Sequence, residues 1–293
     1  ISKIKEEQPK TIVIECYHGV PVKFLISKLK LYFVDATILS MARGFRSEAS
    51  MEQYLLPFLT DDRIFGRMSD LTLDAYFEDC ELNQMRREWC EIRGVKIAVG
   101  VGASLLCKES DLFIYADMPR WEIQKKFRKK ILGNIGASNA GEDFFLLYKR
   151  AYFCDWRACD RMKQTTFTKW DFILDTTHHE NPKFLTVDNL IMGLQKCAQQ
   201  PFRLVPFFDP GPWGGQWMKE VCDLDRAQSN YAWCFDCVPE ENSLAFKYGT
   251  KHIEIPAINF FFFQSEKLLG AQIISEFGKE FPIRFDFLDT MDG

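Results

Sequence analysis

Short apolar runs rich in β-branched residues recur through the first two thirds of the chain, alternating with stretches of helical spacing. The runs are TIVIEC (residues 11–16), VKIAVGV (95–101), DLFIYA (111–116) and DFILD (171–175). Runs this apolar read as strands buried on both faces, because a strand with one wet face alternates apolar and polar residues. Parallel neighbours need long crossover connections, which run right-handed, so buried strands alternating with helices leave few arrangements open. The expectation is an α/β domain: a mostly parallel sheet between helices, in three layers. LYFVD at 31–35 reads as one more strand. Helices are expected at 22–31, 51–58, 71–90 (capped near Ser69 or Asp70), 120–130, 144–168 and 186–199.

Several charged groups sit on this frame. Helix 120–130 carries Trp121, Ile123 and Phe127 amid Arg120, Lys125, Lys126, Arg128, Lys129 and Lys130. It reads either as a solvated face over an aromatic core stripe or as a receiver of a phosphorylated ligand. Arg157 and Arg161 share a helix face, with Asp155 and Asp160 within pairing distance. His178, His179 and Glu180 are adjacent in TTHHENPK (176–183), the expected domain boundary. They read as a polar turn, since neighbouring histidines point apart and make a poor metal site. The first strand runs into ECYHG (15–19). In outline, this half resembles the nucleoside and nucleotide kinases. Their phosphate-cradling loop ends in Gly-Lys-Ser/Thr, whereas here there is one glycine and no such tail. The resemblance implies the fold without ATP chemistry.

The totals exclude some partners. Net charge is −4, so bulk electrostatics offer nothing to nucleic acid. No apolar run approaches the length of a membrane span. The 10 cysteines lack framework spacing, which favours reduced thiols in a cytoplasmic protein. Cys234 and Cys237 form a lone C-x-x-C without a second pair to complete a zinc site. No signal peptide is visible, and an opening on Ile1 rather than methionine implies that residues precede it.

From Pro201 the helical pattern gives way to short β-rich segments at 203–208, 231–237, 243–248, 252–255, 258–263 and 282–287, with a short helix at 268–277. Within this part, Pro210 and Pro212 fix φ just ahead of Trp213, and Gly214 and Gly215 free the backbone behind it. That makes a stiff loop presenting an indole, either to a ligand or to a core. Further on come Leu268-Leu269-Gly270, Phe281-Pro282 and Leu288-Asp289. A proline followed by W-G-G, then these markers in this order, resembles the opening of the type I mannose-6-phosphate isomerases.

That resemblance implies a zinc enzyme on a cupin, or jelly-roll, fold that interconverts mannose 6-phosphate and fructose 6-phosphate. The expected layout is a kinase-like domain without a P-loop (1–180), a linker helix (181–200) and the first strands of a cupin domain (201–293). In the family the first zinc ligands lie in a Gln-x-His motif just after the Leu-Asp strand. The expectation is therefore that the metal site lies past Gly293, that no metal ligand falls within this chain, and that the chain is part of a longer one. The family's strand lysine is replaced by Asp286. Arg284, two residues earlier on the same strand face, is the expected substitute toward the sugar phosphate, with Asp286 orienting it; a local ion pair is the other reading. Trp213, Arg284 and Asp286 are thus the candidate substrate-binding residues. The expected partner is a phosphorylated sugar, with no nucleic acid and no membrane; a homo-oligomer is left open. The alternative to an isomerase is a regulatory module that binds a sugar phosphate or nucleotide without turnover.

Overall fold

A computed structural model of the protein describes residues 9–61, 66–107 and 109–197. Beyond these it describes four strands, at 204–208, 233–237, 243–248 and 251–256, with Asp223 and Asp225. The chain divides into two compact units, Ile1–Met192 and Gly193–Gly293.

The first unit is built on a six-stranded sheet: β1 (Thr11–Cys16), β2 (Thr37–Ser40), β3 (Lys96–Gly100), β4 (Leu112–Asp117), β5 (Phe172–Asp175) and β6 (Lys183–Thr186). The spatial order is β2-β3-β1-β4-β5-β6. The first five strands are mutually parallel, and β6 runs antiparallel to β5. β1 and β4 occupy the centre, as their composition dictates. Ile12, Val13 and Ile14 are buried, and so is every residue of β4. Each buried Ile, Val, Leu or Phe side chain among them contributes roughly 1.5–3 kcal/mol by leaving water.

The helices are α1 (Val22–Tyr32), α2 (Glu48–Leu59), α3 (Asp79–Glu91), α4 (Arg120–Arg128), α5 (Phe144–Arg150), α6 (Trp156–Thr166) and α7 (Val187–Cys197). α2 starts where the Ser47 hydroxyl accepts the Ser50 N–H at 3.2 Å. α3 buries Leu82, Met85 and Trp89 at helical spacing. α5 passes into α6 through a π-helical turn, Ala151–Asp155.

Three expectations are corrected here. LYFVD is not a strand: Leu31 and Tyr32 finish α1, and the Phe33 N–H closes it on Leu29 O at 2.8 Å. Leu31 and Val34 are 70% and 81% exposed, so the run is apolar without being buried. Residues 71–90 are not one helix but a 3₁₀ turn, Leu73–Tyr76, followed by α3. The chain is extended at Phe77 and Glu78 because residues 44–46 take its backbone groups. Arg46 N donates to Tyr76 O, Arg46 Nε to Ala75 O, and Glu78 N to Gly44 O. Ser69 consequently caps no helix; its hydroxyl accepts the Leu71 N–H. Finally, 176–183 is no boundary in the sheet, since β6 follows it and pairs with β5.

In the second unit, β7 (Leu204–Phe208) pairs with β8 (Trp233–Cys237), and β9 (Ser243–Tyr248) pairs with β10 (Lys251–Pro256), both antiparallel. The strands expected at 258–263 and 282–287 and the helix at 268–277 lie outside the described residues. Among the described residues, no helix is long and apolar enough to cross a membrane.

Candidate functional site at the carboxyl edge of the sheet

The strand order fixes where a site belongs. The connection out of β1 leads toward β2, and the one out of β4 leads toward β5 on the other side. At such a switch point, open α/β sheets bind ligands beyond the carboxyl ends of the strands. Here those ends present Tyr17 and His18 after β1, Asp117 at the end of β4 and Arg120 at the start of α4. Trp156, Asp160 and Lys163 come in from α6.

These groups form one interlocked network. Tyr17 N donates to Ala116 O at 2.8 Å, tying the exit of β1 to β4. The Tyr17 hydroxyl donates to Asp160 Oδ1 at 3.0 Å and accepts Arg120 Nε at 3.0 Å. Arg120, 4% exposed, also pairs through Nη2 with Asp160, and its guanidinium lies 5.2 Å from the centre of the Trp156 ring. Lys163, 1% exposed, sits 3.7 Å from Asp117 Oδ1 and 4.5 Å from the centre of the Tyr17 ring. Burial alone would raise the Asp160 carboxyl, but Arg120, Arg157 and Lys163 together hold it below the usual carboxylate range. Burial pushes the Tyr17 hydroxyl well above its ordinary value. Tyrosine therefore donates and aspartate accepts at neutral pH.

His18 is fixed by its two neighbours. An indole N–H can only donate, so Trp156 Nε1 donates to His18 Nδ1 at 3.1 Å. The ring proton is then on Nε2, which donates to Gly133 O at 2.9 Å. Burial lowers the His18 pKa. The imidazole is neutral, with both nitrogens engaged.

Glu15, 1% exposed, occupies the backbone donors that follow β3. Its Oε1 accepts Gly102 N at 2.6 Å, and its Oε2 accepts Ser104 N at 2.8 Å and Ser104 Oγ at 2.7 Å. Gly102 makes this possible at φ 84°, a left-handed turn that aims the amides at the carboxylate. Burial pushes Glu15 up to about 7, against the hydrogen bonds from Ser104 and Gly102.

The residues singled out from sequence fall as follows. Trp213, Arg284 and Asp286 lie outside the described residues. In the basic helix, Ile123 and Phe127 are fully buried, as an aromatic core stripe requires. Lys125 pairs with Glu122 at 2.5 Å, Lys126 donates to Gly19 O at 3.1 Å, and Arg128 lies 4.2 Å from the Phe144 ring centre. Arg157 pairs with Asp160 at 3.5 Å, as its spacing suggests. Arg161 instead donates to Ser69 O and Leu71 O. Asp155 accepts the Tyr76 hydroxyl, Ile135 N and Arg150 Nε. His179 packs edge-on to Phe24 at 5.4 Å. Among the described residues, no three His, Cys, Asp or Glu side chains gather to hold a metal ion.

Sequence reasoning missed Tyr17, Asp117, Lys163 and Asp175. For the two aspartates the signal was present, since the buried runs FIYAD and FILD each end on an acid; Tyr17 and Lys163 carried no such mark.

Fold and edge together define an α/β domain with a charge-paired rim at its switch point. The chain belongs to the family described as a domain of unknown function (DUF8485), which matches residues 1–199. No curated protein and no solved structure matches it.

Proposed function

We propose that this chain belongs to a sugar-phosphate aldose–ketose isomerase, acting between mannose 6-phosphate and fructose 6-phosphate, and that its first unit is a binding module that transfers no phosphate. The observation that carries the reading is the ordered series Pro210–Gly215, Leu268–Gly270, Phe281-Pro282 and Leu288-Asp289. The antiparallel pairs β7–β8 and β9–β10 support it, because a cupin domain is an antiparallel β-fold. In the reaction, the proton on C2 of the aldose leaves as the enediol forms, and a proton returns at C1. Zinc, which the resemblance implies, would stabilise the charge on the substrate oxygens. No described group fits such an ion, and the reading gives residues 9–197 no part in holding it.

Glu15 favours the non-catalytic role of the first unit. In the kinases resembled, the amides that cradle phosphate follow the first strand; here Tyr17 N, just after β1, donates to Ala116 O at 2.8 Å. A carboxylate of the chain itself takes the amides after β3, and Arg120 and Lys163 each face an aspartate. The test is a coupled assay of fructose 6-phosphate formed from mannose 6-phosphate by the natural protein, with and without chelator. Turnover lost on chelation supports the isomerase. No turnover, with retained binding of either sugar phosphate, would leave only the regulatory module. Phosphate transfer from ATP would overturn the role given to the first unit.

A further inference from the structure

Two acids close neighbouring strands on one face of the sheet. Asp117 ends β4, Asp175 ends β5, and the two are register partners. Parallel strands lie about 4.8 Å apart, close enough for both carboxylates to reach one ion. Both are buried, Asp117 at 4% exposure and Asp175 at 2%. Asp117 Oδ1 faces the Lys163 ammonium at 3.7 Å. Asp175 Oδ1 accepts the N–H and the hydroxyl of Thr177. Asp175 Oδ2 is buried without a hydrogen-bond partner. One residue pair below on the same face, the Tyr115 hydroxyl, 1% exposed, is also without a partner. After burial, the charge of Asp117 is the strongest influence raising the pKa of that hydroxyl, so the two groups lie in one electrostatic neighbourhood.

A carboxylate oxygen buried and unbonded costs several kcal/mol unless a proton or a cation meets it. Lys163 faces Asp117 and the charge of Lys183 acts on Asp175, yet neither donates a hydrogen bond to Asp175 Oδ2. We propose that Asp175 Oδ2 and the Asp117 carboxylate hold a hard divalent cation of the Mg²⁺ class at the carboxyl edge of β4 and β5. Such ions take one or two protein carboxylates and complete their shell with water or phosphate oxygens, so two acids suffice where a zinc site would need more. The site stands independently of the isomerase reading.

The test titrates Mn²⁺, as a paramagnetic probe of this class, into the 293-residue protein and counts free ion by electron paramagnetic resonance, with Mg²⁺ as competitor. Saturable binding displaced by Mg²⁺ is expected, and Asp175→Asn should weaken it by at least about tenfold. Unchanged binding in a folded Asp175→Asn protein would overturn the site. Should that variant not fold, Mn²⁺ broadening of the wild-type amide resonances decides. Broadening centred on residues 115–117 and 175–177 supports the site, and broadening elsewhere overturns it. No Mn²⁺ binding at millimolar ion also overturns it and leaves a proton on Asp175 to satisfy the oxygen.

Discussion

Glu15 is the residue whose chemistry departs furthest from its position in the sequence pattern. An acid inside a β-branched run would ordinarily break a central strand, yet three donors in the turn after β3 converge on it. Burial still outweighs them and sets its pKa near 7, against 4.5 for the free group. The folded state thus holds its proton more tightly than the unfolded state, so stability is lost as pH rises between those values. By linkage the loss reaches about 3 kcal/mol and is complete above neutrality. His18 acts in the opposite sense, because its lowered pKa makes acid below its ordinary value destabilising. Comparison with Glu15→Gln cancels the histidine contribution. Urea unfolding of both proteins from pH 5 to 8 should show wild type losing stability relative to the variant as pH rises. A flat difference would mean that Glu15 does not titrate in this window.

At the level of elements, the same edge is where α4 and α6 are pinned to β1. Arg120 opens α4, Asp160 lies in α6, and Tyr17 leaves β1; each contacts the other two. Removing Asp160 takes a carboxylate partner from the Arg120 guanidinium, which is 4% exposed. Asp160→Asn should cost about 3 kcal/mol in chemical denaturation, and Tyr17→Phe about 1 kcal/mol. If Asp160→Asn is neutral, the pair contributes little beyond its own desolvation. The start of α2 gives a smaller case: Ser47→Ala removes the acceptor of Ser50 N–H and should cost about 1 kcal/mol by the same measurement. Elements of this kind were unevenly legible from sequence. The four buried parallel runs, with α1 after β1 and α4 after β4, followed from hydrophobic period alone, and so did the buried Ile123 and Phe127 of α4. The triad did not, because its members lie up to 143 residues apart, and pattern reports only what is near in sequence. Arg46 shows the same limit from the other side, since its bonds to Ala75 and Glu78 override a helical pattern that looks continuous over 71–90.

On the scale of the molecule, strand order predicts how firmly each part of the sheet is held. β1 and β4 each have a parallel neighbour on both sides and bury nearly every residue, whereas β2 and β6 pair along one edge only. Opening an edge strand exposes one ladder of hydrogen bonds and little apolar area; opening a central one requires the whole unit to unfold. β2, with no fully buried residue, should be the first to open. Hydrogen–deuterium exchange read by mass spectrometry should therefore rank the strands, with β1 and β4 slowest, β3 and β5 next, and β2 and β6 fastest. The prediction bears on the proposed cation as well, because Asp175 stands at the end of a strand whose outer neighbour is the antiparallel edge strand β6. An ion shared with Asp117 would tie β5 to the core. Millimolar Mg²⁺ should then slow exchange in β5 and in residues 176–177 while leaving β2 unchanged. Slowing of both edges alike would indicate general stabilisation by salt rather than an ion held at this place.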